Sequence, residues 1–303
     1  MKFEVTILGS SSATPVYNRN PTAQLLNCNE KFYLIDCGEG TQQQMIRFGL
    51  KASKIDAAFI SHLHGDHYFG LIGLLSTMHL NGRTKPFQIF GPAALKDILE
   101  IQFQHSDTHL RFEIQFIIIV ADIPRIICAN QDMTVETVVL NHRIPTTGFK
   151  FTETKRQRKV NAEKLEADNI PQEYYQLLKR GLDLTLPSGR IVINAEYTYD
   201  SEKPKSYCYC SDTLADGSYL DSLKNCTVLY HEATFLNELL DRANMTHHTT
   251  ALQAAEVAAT VGASKLLIGH FSSRYKSLLP LLEEASAVFP NTDLALEGNT
   301  YTI

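Results

Sequence analysis

No apolar run of the 303-residue chain approaches the ~18 residues needed to cross a bilayer, which excludes a membrane-spanning helix. The longest, from Phe116 to Ala121, reads as a buried strand. Cysteine is sparse, and Cys28, Cys37, Cys128, Cys208, Cys210 and Cys226 are too scattered for a disulfide framework. Cys208 and Cys210 have no second Cys-x-Cys pair to complete a metal site and read as same-face residues of one strand. Fixed-period repeats and low-complexity tracts are missing, which excludes solenoids and compositional linkers. Excess positive charge is missing too. With 28 Lys and Arg against 33 Asp and Glu the net charge is −5, so nucleic-acid binding would have to be local. The start, Met1 to Ile7, enters an alternating strand at once and offers no signal peptide, making the cytoplasm the expected compartment.

What is present is a dense group of ligand-type side chains. His62-Leu63-His64-Gly65-Asp66-His67 follows directly on the apolar run Asp56 to Ser61. His62 and His64 are two residues apart, so in extended backbone both imidazoles project from one face and can meet one cation. Gly65 permits a turn that aims Asp66 and His67 at a neighbouring point. Two adjacent metals are the natural reading, against the plainer one of a solvated His-rich loop.

Four residues cannot saturate two ions, so further ligands must come from elsewhere. The run Val135 to Leu140 ends at Asn141-His142, Ser206 to Cys210 ends at Ser211-Asp212, and Lys265 to Gly269 ends at His270. Alone, His142 or His270 is more often a hydrogen-bonded histidine, and Asp212 a turn or cap residue. Their common placement after strands is what several strands delivering side chains to one sheet rim would produce.

Strand patterns near 3–8, 23–27, 32–36, 56–61, 88–91 and 113–120 alternate with helical ones near 41–48, 68–79 and 93–103. Later come strands near 191–194, 206–210, 228–231, 265–269 and 294–297, and helices near 250–261 and 278–288. This alternation predicts an α/β architecture, and 44% hydrophobic residues allow a sizeable core. One segment differs. Lys155-Arg156-Gln157-Arg158-Lys159 leads into a polar, helix-prone stretch to Lys179 and Arg180, from which an apolar core is hard to build. It reads as a protruding arm at about 152–182 whose basic cluster engages phosphates, or else as a solvated excursion without a partner.

The motif with its later His, Asp and His resembles the metallo-beta-lactamase superfamily. Within it the chain is similar to the ribonuclease Z family, in the short single-unit form, over nearly its whole length. The similarity runs through Ile7 to Ser10, Pro15 to Asn20, Ile35 to Thr41, Asn141 to Phe149, Ser211 to Thr213, His231 to Phe235, His248 to Ala251 and Gly269 to Tyr275. Three departures stand out. Tyr17 replaces the family's usual Lys, His248-Thr249-Thr250 replaces His-Ser-Thr, and Asn169 to Tyr174 lacks the arm's Gly-Pro pair.

The resemblance implies a four-layer αββα sandwich formed by the whole chain, with the arm as an RNA-gripping exosite. It implies two Zn²⁺ per subunit, Mn²⁺ or Fe²⁺ sharing the same ligand types. His62, His64 and His142 would hold one ion, Asp66, His67 and His270 the other, and Asp212 would bridge them. Asp66 would orient and deprotonate the attacking water, and His248, steered by Glu232, would protonate the leaving oxygen. Arg274, Arg19, Asn20, Lys155, Arg156, Arg158 and Lys159 would contact substrate. The implied reaction is hydrolysis at the 3′ end of precursor tRNA, leaving a 3′-hydroxyl on the tRNA and a 5′-phosphate on the trailer, by a homodimer. The alternative is a small-molecule phosphodiesterase or other hydrolase on the same fold.

Overall fold

The computed structural model describes residues 2–154 and 156–303. The chain divides into two compact units, one of Met1–Thr152 with Ser206–Ile303 and one of Glu153–Lys205.

The larger unit is built on two seven-stranded mixed sheets. The first holds β1 (Phe3–Gly9), β2 (Ala23–Cys28), β3 (Lys31–Cys37), β4 (Ile55–Phe59), β5 (Phe87–Gly91) and β6 (Ile114–Ile118). The second begins with β7 (Ile126–Ala129), β8 (Met133–Leu140) and β9 (Thr146–Glu153). The smaller unit has four two-residue strands, β10 (Lys159–Val160), β11 (Leu184–Thr185), β12 (Ile191–Val192) and β13 (Thr198–Tyr199). The second sheet resumes with β14 (Ser206–Cys210), β15 (Val228–Glu232), β16 (Lys265–Gly269) and β17 (Thr292–Leu294), and β18 (Thr300–Thr302) returns to pair with β1.

Alternation along the strands sorts the core. Tyr207 and Tyr209 of β14 point between the sheets, where they join Phe59, Phe149, Phe151 and Tyr230. Cys208 and Cys210 point the other way, under the alanine-rich helix Ala251–Val261, as expected for same-face residues. A third cluster packs Leu71, Leu74, Leu75, Leu95 and Leu99 on the outer face of the first sheet. Helix, sheet, sheet and helix are thus layered as the resemblance implied. No helix among the described residues is long and apolar enough to cross a membrane.

Four expectations need correction. The run from Phe116 to Ala121, expected as a buried strand, belongs to the edge strand β6, which ends at Ile118 and leaves that side chain exposed. The helix expected near 68–79 is broken into Gly65–Tyr68 and Leu71–Leu80. Gly70 at the break lies so close to the backbone that a Cβ there would sit 2.2 Å from the carbonyl oxygen of Gly38. The strand expected at 294–297 ends at Leu294, because the chain turns through Gly298, with φ 84°, towards β18. The strand near 191–194 stops at Val192, and Asn194–Tyr197 is helical, with the Asn194 N–H donating to Asp183 Oδ1 at 2.7 Å.

The smaller unit also departs from expectation. Leu165, Ile170, Leu178, Leu184, Val192 and Tyr197 form an apolar core of their own. Three of these lie beyond residue 182, where the sequence reading ended the arm. A short stretch that looks too polar to fold can close once its second half is folded back on it.

Candidate metal centre

The parallel strands β14, β15 and β16, and β3 and β4 of the other sheet, end next to the loops that carry the chemistry. His62 and His64 follow β4, His142 lies between β8 and β9, Asp212 follows β14, Glu232 closes β15 and His270 follows β16. Side chains at the carboxyl ends of adjacent strands converge without long loops, which keeps a site rigid.

Two groups result. In the first, His64 Nδ1 lies 3.0 Å from His62 Nε2 and 3.3 Å from His142 Nε2, and Asp212 Oδ2 is 3.6 Å from both His62 Nε2 and His142 Nε2. In the second, Asp66 Oδ2 is 3.5 Å from His67 Nε2 and from His270 Nε2, while Asp212 Oδ1 is 3.2 and 3.1 Å from the same nitrogens. Ligands ~2.0–2.1 Å from a tetrahedral ion stand about 3.3 Å apart, so these spacings suit cations between them. Asp212 turns one oxygen to each group.

The surroundings decide which nitrogen of each ring faces inward. His67 Nδ1 donates to Asp36 at 2.7 Å, and His142 Nδ1 donates to the carbonyl of His247 at 2.9 Å. Ser61 Oγ donates to Asp36 and so accepts from His62 Nδ1 at 3.0 Å, and Thr234 Oγ1 donates to Glu232 and accepts from His270 Nδ1 at 3.0 Å. When these rings are neutral, their four inner Nε2 atoms are thereby left as lone pairs, the form that binds metal. Two of them, on His67 and His270, are buried without any hydrogen-bond partner. An orphaned buried nitrogen is costly unless something positive meets it. The residues present therefore fit a bound metal.

Electrostatics follow the same division. Burial, together with the neighbouring histidines, holds His62 well below its usual range, and burial lowers His142 to about 4. For His67 burial is outweighed by Asp212, Asp66 and Asp36, which raise it well above its usual value. Burial would raise Asp212, but His270, His67 and His62 hold it well below the carboxylate range.

His248 borders both groups. Its Nδ1 lies 3.0 and 3.1 Å from the oxygens of Glu232, which outweighs burial and raises the imidazole to about 9. Glu232 also accepts from the Thr213 N–H at 2.7 Å. The helix Ala251–Val261 is capped, since Thr250 Oγ1 accepts from the Gln253 N–H at 3.2 Å and Gln253 Oε1 accepts from the Thr250 N–H at 3.1 Å.

A cleft of about 430 Å³ opens over Asp66, Asp212 and His248, walled by the loop Ser12 to Pro15 and by Arg143 and Phe69. A larger hollow of about 560 Å³ beside the helix Ala93–His105 has no histidine in its wall, so chemistry and not size selects the site. Arg143 and Phe69 were not anticipated, although Arg143 adjoins His142. Asp36 and Thr234 were missed as well, since nothing local marks a carboxylate or hydroxyl as the partner of a distant imidazole.

Of the expected substrate contacts, Arg274 is exposed and lies outside the cleft wall. Arg19 is buried and donates to the carbonyl of Tyr275 at 2.8 Å, and the backbone N–H of Asn20 donates to Glu297 at 2.6 Å. Within the smaller unit Arg156 pairs with Glu153 and Glu202, and Arg158 pairs with Asp200 and donates to Thr198. Lys159 is exposed, and Lys155 lies outside the described residues.

The chain is 41% identical to Ribonuclease Z of Bacteroides fragilis (strain YCH46) over 297 residues, 98% of each protein. It is 45% identical to Ribonuclease Z of Cytophaga hutchinsonii over 304 residues, covering 100% of this chain and 97% of the relative. The chain belongs to the ribonuclease Z family. Among solved structures, human tRNase Z, short form, matches with a TM-score of 0.71 and 26% identity over 99% of both chains. The metallo-beta-lactamase fold protein YhfI from Bacillus subtilis matches with a TM-score of 0.69 over 99% of both chains, and at 19% identity it speaks for the fold alone. The fold is thus that of the metallo-beta-lactamases, and the family is one of endoribonucleases. A family model described as Anti-Pycsar protein Apyc1 matches residues 3–157. That match takes in His62 to His142 but stops before Asp212, Glu232, His248 and His270, which the full-length likeness to the ribonucleases covers.

Proposed function

We propose that the protein is an endoribonuclease that removes the 3′ trailer from precursor tRNA, working in the cytoplasm as a homodimer with two zinc ions per subunit. The observation that carries this reading is the convergence of seven ligand-type side chains into two groups sharing Asp212, in a chain with full-length likeness to ribonucleases Z. His62, His64 and His142 would hold one ion and Asp66, His67 and His270 the other. When bound, the ions supply Lewis-acid stabilisation of phosphoryl charge and lower the pKa of water.

The chain's own groups do the rest. Asp66 Oδ2, fixed by the Ala13 N–H at 2.8 Å, accepts the proton of the attacking water. Attack at phosphorus breaks the bond to the 3′-oxygen, leaving a 3′-hydroxyl on the tRNA and a 5′-phosphate on the trailer. His248, with Nδ1 held by Glu232, has Nε2 available to pass a proton to that oxygen. Arg143 and exposed Arg274 supply positive charge for phosphates, and the unit Glu153–Lys205 engages the body of the tRNA through Arg156, Arg158, Lys159 and neighbouring Lys155. The arginines' present ion pairs are weak enough at the surface to exchange for phosphate.

The test is to incubate the purified protein with end-labelled precursor tRNA, with and without a chelator, and to map the cut. A single chelator-sensitive cut at the 3′ end of the mature tRNA is expected. Intact RNA with a metal-loaded preparation would sink the reading.

A further inference from the structure

We infer that Glu297, in the turn between β17 and β18, is a positioning residue that clamps the cleft-wall loop and through it sets the place of Asp66. The loop from Ser10 to Asn20 contributes Ser12, Ala13, Thr14 and Pro15 to the cleft wall. Its Ala13 N–H donates to Asp66 Oδ2 at 2.8 Å. Three of its non-glycine residues, Ala13, Tyr17 and Asn18, have left-handed φ values of 61°, 52° and 63°. Such a conformation persists only where the surroundings over-determine it.

Glu297 adds to the backbone bonds from the Ser10 and Ser11 N–H groups to the Asn20 carbonyl, at 3.0 and 2.9 Å, and holds both ends of the loop at once. Its Oε1 accepts from the Ser10 N–H at 3.2 Å, the Ser10 hydroxyl at 3.4 Å and the Asn20 N–H at 2.6 Å. Its Oε2 accepts from Gln44 Nε2, which also donates to the carbonyl of Leu8 at 3.0 Å. The two ends approach so closely that a Cβ on Gly9 would lie 1.7 Å from the carbonyl oxygen of Pro21. An amide of the same size could not accept in every one of these directions, because its nitrogen only donates. Burial pushes the Glu297 carboxyl up to about 7, against the pull of the Asn20 and Ser10 donors and the charge of Arg19. A buried acid placed beside a site at a cost in stability is what a positional role predicts.

The catalytic half of this inference rests on the proposed phosphodiesterase reading, and the structural half does not. Full-length Glu297→Gln and Glu297→Ala proteins are compared with the parent by hydrogen–deuterium exchange, metal content and kinetics on a bis-aryl phosphodiester. In Glu297→Gln the amide keeps the volume but sets a donor against either Gln44 or the Ser10 and Asn20 N–H groups. Expected are faster exchange in residues 10–20 and a kcat lowered about 10- to 100-fold, with KM and metal content unchanged. Parental exchange in 10–20 in both variants, or unchanged kcat with exchange raised, would overturn it, as would a loss of activity that only follows metal loss. If the parent protein hydrolyses nothing, the functional reading fails by itself, and exchange in 10–20 still decides whether Glu297 is the clamp.

Discussion

Asp212 carries more of the centre's geometry than any histidine, because its two oxygens face different groups and its backbone sits at φ 55° to aim them. Losing it removes a donor from both groups at once. An Asp212→Ala protein is expected to lose bound metal, measured by elemental analysis, whereas Asp66→Asn should retain at least one ion and lose about 10²- to 10⁴-fold in kcat. Glu297 gives the residue-scale pH prediction. Its carboxyl moves from an ordinary 4.5 to about 7 in the fold. Between those values the folded chain holds a proton that the unfolded chain has released, so the contribution of Glu297 to stability is greatest below about 4.5 and falls as pH rises to 7. His62 and His142, held low by burial, act with the opposite sign over part of that range, so the decline is read as the difference in urea midpoint between the parent and Glu297→Gln, which should shrink as pH rises from 4.5 to 7.

At the scale of the element, strands end where their ligands begin, and helices start where the loops need an anchor. The helix Ala251–Val261 begins with the reciprocal bonds of Thr250 and Gln253, two residues after His248, and ends at Gly262 with φ 66°. Its buried residues are Ala251, Ala254, Ala255, Val257, Ala258 and Val261, mostly small enough to let the helix lie close on β15 and β16. Thr250→Ala removes the cap and should cost about 1 kcal/mol in chemical denaturation. His248 N–H is separately tied to the carbonyl of Ala243 at 2.8 Å, so the same variant should retain measurable activity. An inactive but folded Thr250→Ala protein would show that the cap, and not the Ala243 bond, places His248.

For the whole molecule the division into two units sets the decisive comparison. Thr152 and Ser206 are register partners on β9 and β14, so a tight turn can join them if Glu153–Lys205 is removed. The larger unit keeps its three apolar clusters and every residue of the centre, and the smaller takes only its own six-residue core. The shortened protein is expected to fold, to bind metal and to hydrolyse a bis-aryl phosphodiester. Its cleavage of precursor tRNA should fall at least 100-fold, read as a raised KM. Equal losses on both substrates would favour a small-molecule hydrolase instead.

Local chemistry made much of this legible in the chain alone. The spacing from His62 to His67, the ligands set just beyond apolar strands, the alternation in Ser206 to Cys210 and the cap at Thr250 are all written within a few residues of where they act. The tertiary structure alone decided the partnerships over long separations. Asp36 meets His67 across 31 positions, Thr234 meets His270 across 36, and Glu297 meets Ser10 across 287. A carboxylate or hydroxyl is equally suited to a solvated surface, and only the packing of two sheets face to face turns it into the partner of one particular imidazole or loop. The same reason hid the core of the smaller unit, whose apolar residues are too widely spaced to form a periodic face and become neighbours only when the chain doubles back.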